Sequence, residues 1–176
     1  MRANGAKGEK MVKKSILDGK RVLAVDDEPD VLDTVEELLD MCVLDKAANF
    51  DTALNFLYSN TYDLVILDIQ GVDGIELLKH SVARGFPTVM LTAHAATPEA
   101  LKHSITLGAS AFLPKEYISN LQEILEDVML GKPQTLWWLH SMKFVTNYFD
   151  KKYGSDWKEK DEFFKNFMES LKKEND

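Results

Sequence analysis

Four short apolar runs punctuate the chain: Val22-Leu23-Ala24-Val25, Leu64-Val65-Ile66-Leu67, Val89-Met90-Leu91 and Ala111-Phe112-Leu113. Short continuous runs bounded by polar residues predict strands buried on both faces of a parallel sheet. Between them the apolar period lengthens. Val31, Val35, Leu38, Leu39 and Cys42 fall on one side of a helix predicted over about 30–42, with Asp33, Glu36, Glu37 and Asp40 outward. A weaker strand near 43–48 precedes a helix from about Phe50 to Ser59. The third strand, 63–67, ends at Asp68, and the loop Ile69-Gln70-Gly71-Val72-Asp73-Gly74 leads into a helix through Leu77, Leu78 and Val82.

Pro87 opens the fourth strand, which reaches Thr92. Thr97-Pro98-Glu99 has the form of a helix start, with a capping hydroxyl, a proline in the first turn and an acid beside it. Ile118, Leu121, Ile124, Leu125 and Val128 mark a fifth helix, which Gly131 and Pro133 terminate. Five strand–helix units predict a doubly wound α/β sheet with right-handed crossovers.

Beyond this the pattern changes. Trp138, Met142, Val145 and Phe149 follow helical spacing, with Trp137, Phe144 and Tyr148 on an adjacent stripe. Tyr153-Gly154-Ser155 interrupts it, and a second helix is expected to carry Trp157, Phe164, Met168 and Leu171. All three tryptophans lie in this stretch, so it must bury them against the sheet, a second copy or another protein. The chain thus divides into a flexible segment at 1–19, an α/β domain at 20–131 and an aromatic-rich helical extension at 132–176.

Charge sharpens this division. Residues 1–20 carry six basic and two acidic side chains, whereas residues 21–130 carry six basic and nineteen acidic ones. An acidic central domain argues against a nucleic-acid face there. No apolar run approaches the ~20 residues of a membrane span, and the N-terminus lacks the apolar core of a secretory signal. The lone Cys42 permits no internal disulfide and is read as a packed thiol. A cytoplasmic protein without a membrane partner is expected.

The candidate chemistry stands at the strand ends: Asp26-Asp27, Asp68, Thr92 and Lys115. In open α/β sheets the ligand site lies beyond the carboxyl ends of the strands, so these side chains converge on one edge. Three carboxylates held close repel one another and favour a cation. Oxygen ligands without nearby His or Cys suit Mg2+. A carboxylate beside such an ion can attack phosphorus, while Lys115 neutralises phosphoryl charge and the Thr92 hydroxyl donates to a phosphoryl oxygen.

Ala24-Val25-Asp26-Asp27-Glu28-Pro29, Leu64-Val65-Ile66-Leu67-Asp68, Leu91-Thr92-Ala93 and Ala111-Phe112-Leu113-Pro114-Lys115 together resemble the receiver domain of two-component response regulators, over about residues 20–130. The resemblance implies a flavodoxin-like five-stranded sheet of order 2-1-3-4-5. It implies that Asp68 accepts a phosphoryl group from a sensor histidine kinase or phosphotransfer protein. It makes Asp27, Asp68 and the Gln70 backbone carbonyl ligands of Mg2+, with Asp26 holding a metal-bound water. Lys115 would pair with the phosphoryl group, Thr92 and Phe112 would form the switch, and Gln70 and His94 would tune hydrolysis of the acyl phosphate. Output through a downstream protein target, or a homodimer, would then follow.

Three departures from the family pattern set expectations. The loop from Asp68 to Asp73-Gly74 is short and lacks proline, which bears on the Gln70 carbonyl. Glu116 follows Lys115 where the family has a cis proline, so a trans Lys115-Glu116 bond and a displaced ammonium are expected. The switch aromatic is Phe112, which has no hydroxyl. The alternatives are a degenerate receiver acting as a phosphorylation-independent scaffold, and a Mg2+-dependent aspartyl phosphatase. His80 and His103 are read as surface residues.

Overall fold

The computed structural model describes residues 14–131 and 134–174. Five strands form one parallel sheet: β1 (Arg21–Val25), β2 (Val43–Ala47), β3 (Leu64–Leu67), β4 (Thr88–Thr92) and β5 (Ala111–Pro114). Their order is β2-β1-β3-β4-β5, the flavodoxin-like arrangement expected. Connecting them are α1 (Pro29–Leu38), α2 (Phe50–Ser59), α3 (Gly74–Ala83) and α4 (Pro98–Thr106). After β5 come a 3-10 turn (Lys115–Asn120) and α5 (Leu121–Met129). Two further helices, α6 (Gln134–Tyr153) and α7 (Glu162–Lys173), complete the described chain.

Alternation along each strand divides the core in two. Leu23, Val25, Val65, Leu67, Met90 and Phe112 face one side, packed with α2, α3 and α4. Val22, Ala24, Leu64, Ile66, Val89, Leu91, Ala111 and Leu113 face the other, packed with α1 and α5. The Thr97 side chain accepts the Ala100 N–H at 3.1 Å, the cap that the sequence predicts.

Two element boundaries differ from expectation. Helix α1 ends at Leu38, and Cys42 lies in the turn before β2. Pairing with the start of β1 wins over further helix here: Gly19 N–H donates to Met41 O at 2.8 Å and Val43 N–H to Lys20 O at 2.8 Å. Trp157 precedes α7 instead of lying in it. Its indole N–H donates to Asp150 at 2.8 Å, and Asp161 caps α7 by accepting the Phe163 N–H at 2.8 Å.

The extension packs on its own sheet. Trp138, Met142, Val145 and Phe149 of α6, with Trp157, Phe164 and Leu171, join the core on the Phe112 side. Trp157 lies edge-on to Phe149 and Phe164, with ring centres 5.0 and 5.1 Å away. Polar ties reinforce this docking, among them His140 on α6 bonding Asp127 on α5 and Lys102 on α4 pairing with Asp161 at 3.2 Å. At the other terminus, Leu17 is fully buried and Ser15 donates to Glu126 at 2.9 Å. The rest of the expected flexible segment, residues 1–13, lies outside the described residues. Among the described residues no helix is long and apolar enough to cross a membrane.

Candidate functional site

Ladder bonds place the two central carboxylates side by side. Asp26, just past β1, donates its N–H to Ala47 O at 3.1 Å; Asp68, just past the adjacent β3, donates to Val25 O at 2.9 Å. Both side chains are buried, at 3% and 4% exposure, so their charge must be compensated. Lys115 does this from the far side of the sheet. Its ammonium donates to Asp26 Oδ2 at 2.7 Å and Asp68 Oδ2 at 3.0 Å, with Glu28 at 3.6 Å. The second oxygen of each carboxylate accepts a backbone N–H: Asp26 from Glu28 at 2.9 Å, Asp68 from Ile69 at 2.8 Å. No cis peptide bond occurs among the described residues, so the Lys115-Glu116 bond is trans as expected. The ammonium nonetheless reaches both acids.

Electrostatics follow from this packing. Burial pushes the Asp26 carboxyl above its ordinary range; the bonds from Lys115 and the Glu28 N–H oppose the shift, and the nearby Asp68 charge adds to it. For Lys115 burial is again the largest single influence and acts downward. The bonds to Asp26 and Asp68 together outweigh it and hold the ammonium above its usual value.

Asp27 is exposed, and a carboxylate oxygen of each of Asp26, Asp27 and Glu28 lies within 4.8 Å of the others. The short loop makes room for them. Gly71, at φ +84, leaves a space beside Asp27, since a Cβ there would sit 2.3 Å from its Oδ2. Gly74 packs so closely that a Cβ would sit 1.7 Å from the Asp68 backbone oxygen. Between them Asp73 adopts a left-handed conformation at φ 50, which Asp tolerates better than most residues. The acidic oxygens and the cradle at Gly71 suit a hard divalent ion.

Thr92, at the end of β4, is fully buried, and its hydroxyl has no hydrogen-bond partner among the described residues. An orphaned buried hydroxyl costs about 1–3 kcal/mol, which marks a position kept for something other than packing. The register Met90↔Phe112 and Thr92↔Pro114 sets Thr92 and Phe112 on the same sheet face. Gln70 and His94 are exposed and line a cleft of about 310 Å3 with Asp27, Asp68 and Lys115. A larger groove of about 850 Å3 lies between α4 and the α6–α7 turn, away from the carboxylates.

The structure therefore brings together Asp26, Asp27, Asp68 and Lys115, with Gln70 and His94 at the rim. Sequence reasoning missed Glu28, although its place in a run of three acids is a signal. It also passed over Gly71 and Gly74, whose role depends on backbone approach.

Residues 22–128 match the response regulator receiver domain family. The match covers more than half of the chain, and the chain belongs to that family. The two-component response regulator ARR18 of Arabidopsis thaliana is 38% identical over 118 residues, 63% of this chain and 18% of that protein. The rice regulator ORR24 of Oryza sativa subsp. japonica is 35% identical over 126 residues, 68% of this chain and again 18% of the relative. The chain thus spans under a fifth of the length of these curated relatives. Among solved structures, a putative response regulator from Chloroflexus aurantiacus superposes with a TM-score of 0.56 at 27% identity, covering 65% of this chain and 99% of that one. The receiver domain of NtrX from Brucella abortus gives 0.56 at 28% identity, covering 64% and 99%.

Proposed function

We propose that this protein is a phosphorylation-controlled switch, in which Asp68 takes a phosphoryl group from a phosphohistidine on a sensor kinase or phosphotransfer protein. The observation that carries this reading is the single Lys115 ammonium bridging Asp26 and Asp68, together with the buried, unpartnered hydroxyl of Thr92 at the end of β4. A lone pair of the Asp68 carboxylate forms the new O–P bond. The P–N bond of the donor breaks, its electron pair returning to the imidazole. Lys115, already against Asp68, shifts its hydrogen bond to the incoming phosphoryl oxygens. The Thr92 hydroxyl donates a hydrogen bond to another of those oxygens and so gains a partner.

Asp27, Asp68 and the Gln70 carbonyl are the candidate Mg2+ ligands, with Asp26 behind a bound water and Glu28 close by. The ion would neutralise carboxylate and phosphoryl charge as the bond forms. Gln70 and His94, which line the cleft, would tune hydrolysis of the acyl phosphate. The receiver at 20–131 would act in the cytoplasm on a downstream protein through contact, with the aromatic extension as part of the output. Acetyl phosphate with Mg2+, followed by intact mass measurement, tests this. A phosphate adduct lost in Asp68→Ala is expected. A chain that stays unmodified under conditions that label other receivers would be a scaffold instead.

A further inference from the structure

Strand β5 is the outer strand of the sheet, and its free edge is closed by one side chain. Phe112 donates its N–H outward to Ser141 Oγ at 3.0 Å, and the Ser141 hydroxyl donates in turn to the Phe112 carbonyl. Outward peptide groups recur every second residue, and the next position is Pro114, which has no N–H. Ser141 thus takes the one outward donor that β5 offers. It is fully buried in the middle of α6, flanked by Trp138, Met142 and Val145, which share the Phe112 core. A mid-helix serine ordinarily bonds the carbonyl four residues back or faces water. Here its hydroxyl is committed to another element.

Phe112 is therefore held twice. Its ring is buried in the core on the sheet face that carries Thr92, and its backbone is clamped by α6. Thr92 and Phe112 share a sheet face, so a movement of Thr92 toward a phosphoryl oxygen would be felt on the Phe112 side, and a movement of the Phe112 backbone would strain the grip of Ser141. We propose that Ser141 is a positioning residue of the switch, through which docking of the α6–α7 hairpin and loading of Asp68 oppose one another. This rests on the phosphoryl-acceptor reading of Asp68 given above. Coupling of this kind is reciprocal: if loading loosens the hairpin, a loosened hairpin favours loading by the same factor.

The test uses the full chain with beryllofluoride and Mg2+ as a phosphoryl stand-in, followed by fluorine NMR of the bound fluoride. Ser141→Ala is expected to lower the half-saturating beryllofluoride concentration by about fivefold or more, the equivalent of one or two hydrogen bonds. Ser170→Ala, which removes an exposed serine on α7 with no tie to β5, is expected to leave it unchanged. In the unaltered protein, loading is expected to speed amide exchange at Phe112 and along α6, and Asp68→Ala is expected to abolish that response. Bound beryllofluoride with unmoved exchange and an unshifted Ser141→Ala titration overturns the coupling alone. Failure of both beryllofluoride binding and acetyl phosphate labelling overturns the acceptor reading of Asp68, and the coupling with it.

Discussion

Lys115 lies 3.0 Å from Asp68 although it sits beyond the far strand of the sheet and is followed by a trans bond to Glu116. Its ammonium is the counter-charge for two buried acids at once, at 11% side-chain exposure. Removing it strands both. Lys115→Met is expected to lower folding stability by about 3 kcal/mol, the usual cost of leaving a buried charge unpaired. Urea denaturation measures this, and Asp26→Asn added to Lys115→Met should recover part of the loss. A double variant no more stable than the single one would show that Asp26 is not the stranded charge.

Gly71 meets two demands, its φ of +84 and the closeness of Asp27. Gly71→Ala is expected to destabilise the fold by about 1–2 kcal/mol through the left-handed backbone. It should also push the Asp27 carboxylate out of place. Calorimetric titration with Mg2+ would then show weakened binding, whereas Gly85→Ala, with equally positive φ but open space around it, should affect stability only.

Cys42 donates its thiol to Leu17 O at 3.5 Å, and burial, with nearby Asp18, Asp40 and Asp63, pushes its pKa up to about 11. Thiolate is the reactive form, and an ordinary thiol has a pKa near 8.5. Alkylation by iodoacetamide at pH 8 is therefore expected to run about a hundredfold slower than in the unfolded chain. A rate within a few-fold of the unfolded value would mean that the turn opens readily.

Asp161 offers a check on the pH dependence of the hairpin. The Phe163 N–H and the Lys102 ammonium hold its carboxyl below the usual range. Its folded value lies below its unfolded one, so the contribution is complete above the unfolded value near pH 4 and disappears as pH falls through the folded value. Asp161→Asn should thus be less stable than the unaltered protein at pH 7, with the gap closing in acid. Fluorescence of Trp157, packed on Phe164, follows the hairpin through this range. A gap that stays constant with pH would show that the carboxylate charge is irrelevant to α7.

Much of this architecture is written in local pattern. The runs at 22–25, 64–67, 89–91 and 111–113 lie inside the strands observed, because buried parallel strands must be continuously apolar. Asp26, Asp68 and Lys115 meet because topology alone brings strand ends to one edge. What the pattern could not carry are contacts between distant elements. Nothing about Ser141 in sequence distinguishes it from a solvent-facing helix serine, since its meaning lies in the unpaired edge of a strand 29 residues away. The sequence predicts a longer α1 because Cys42 continues its apolar stripe, while the competing bonds from residues 19 and 20 leave no periodic trace.

The closure of β5 leaves the sheet asymmetric. Among the described residues strand β2 pairs only with β1, so its outer side is a sheet edge without a strand neighbour. Growth of a cross-strand polymer needs two open edges on every subunit, one to receive and one to extend. A molecule with a single open edge can join another through it and then has nothing left to offer. While α6 stays seated, strand-to-strand association through the described sheet would end at a pair.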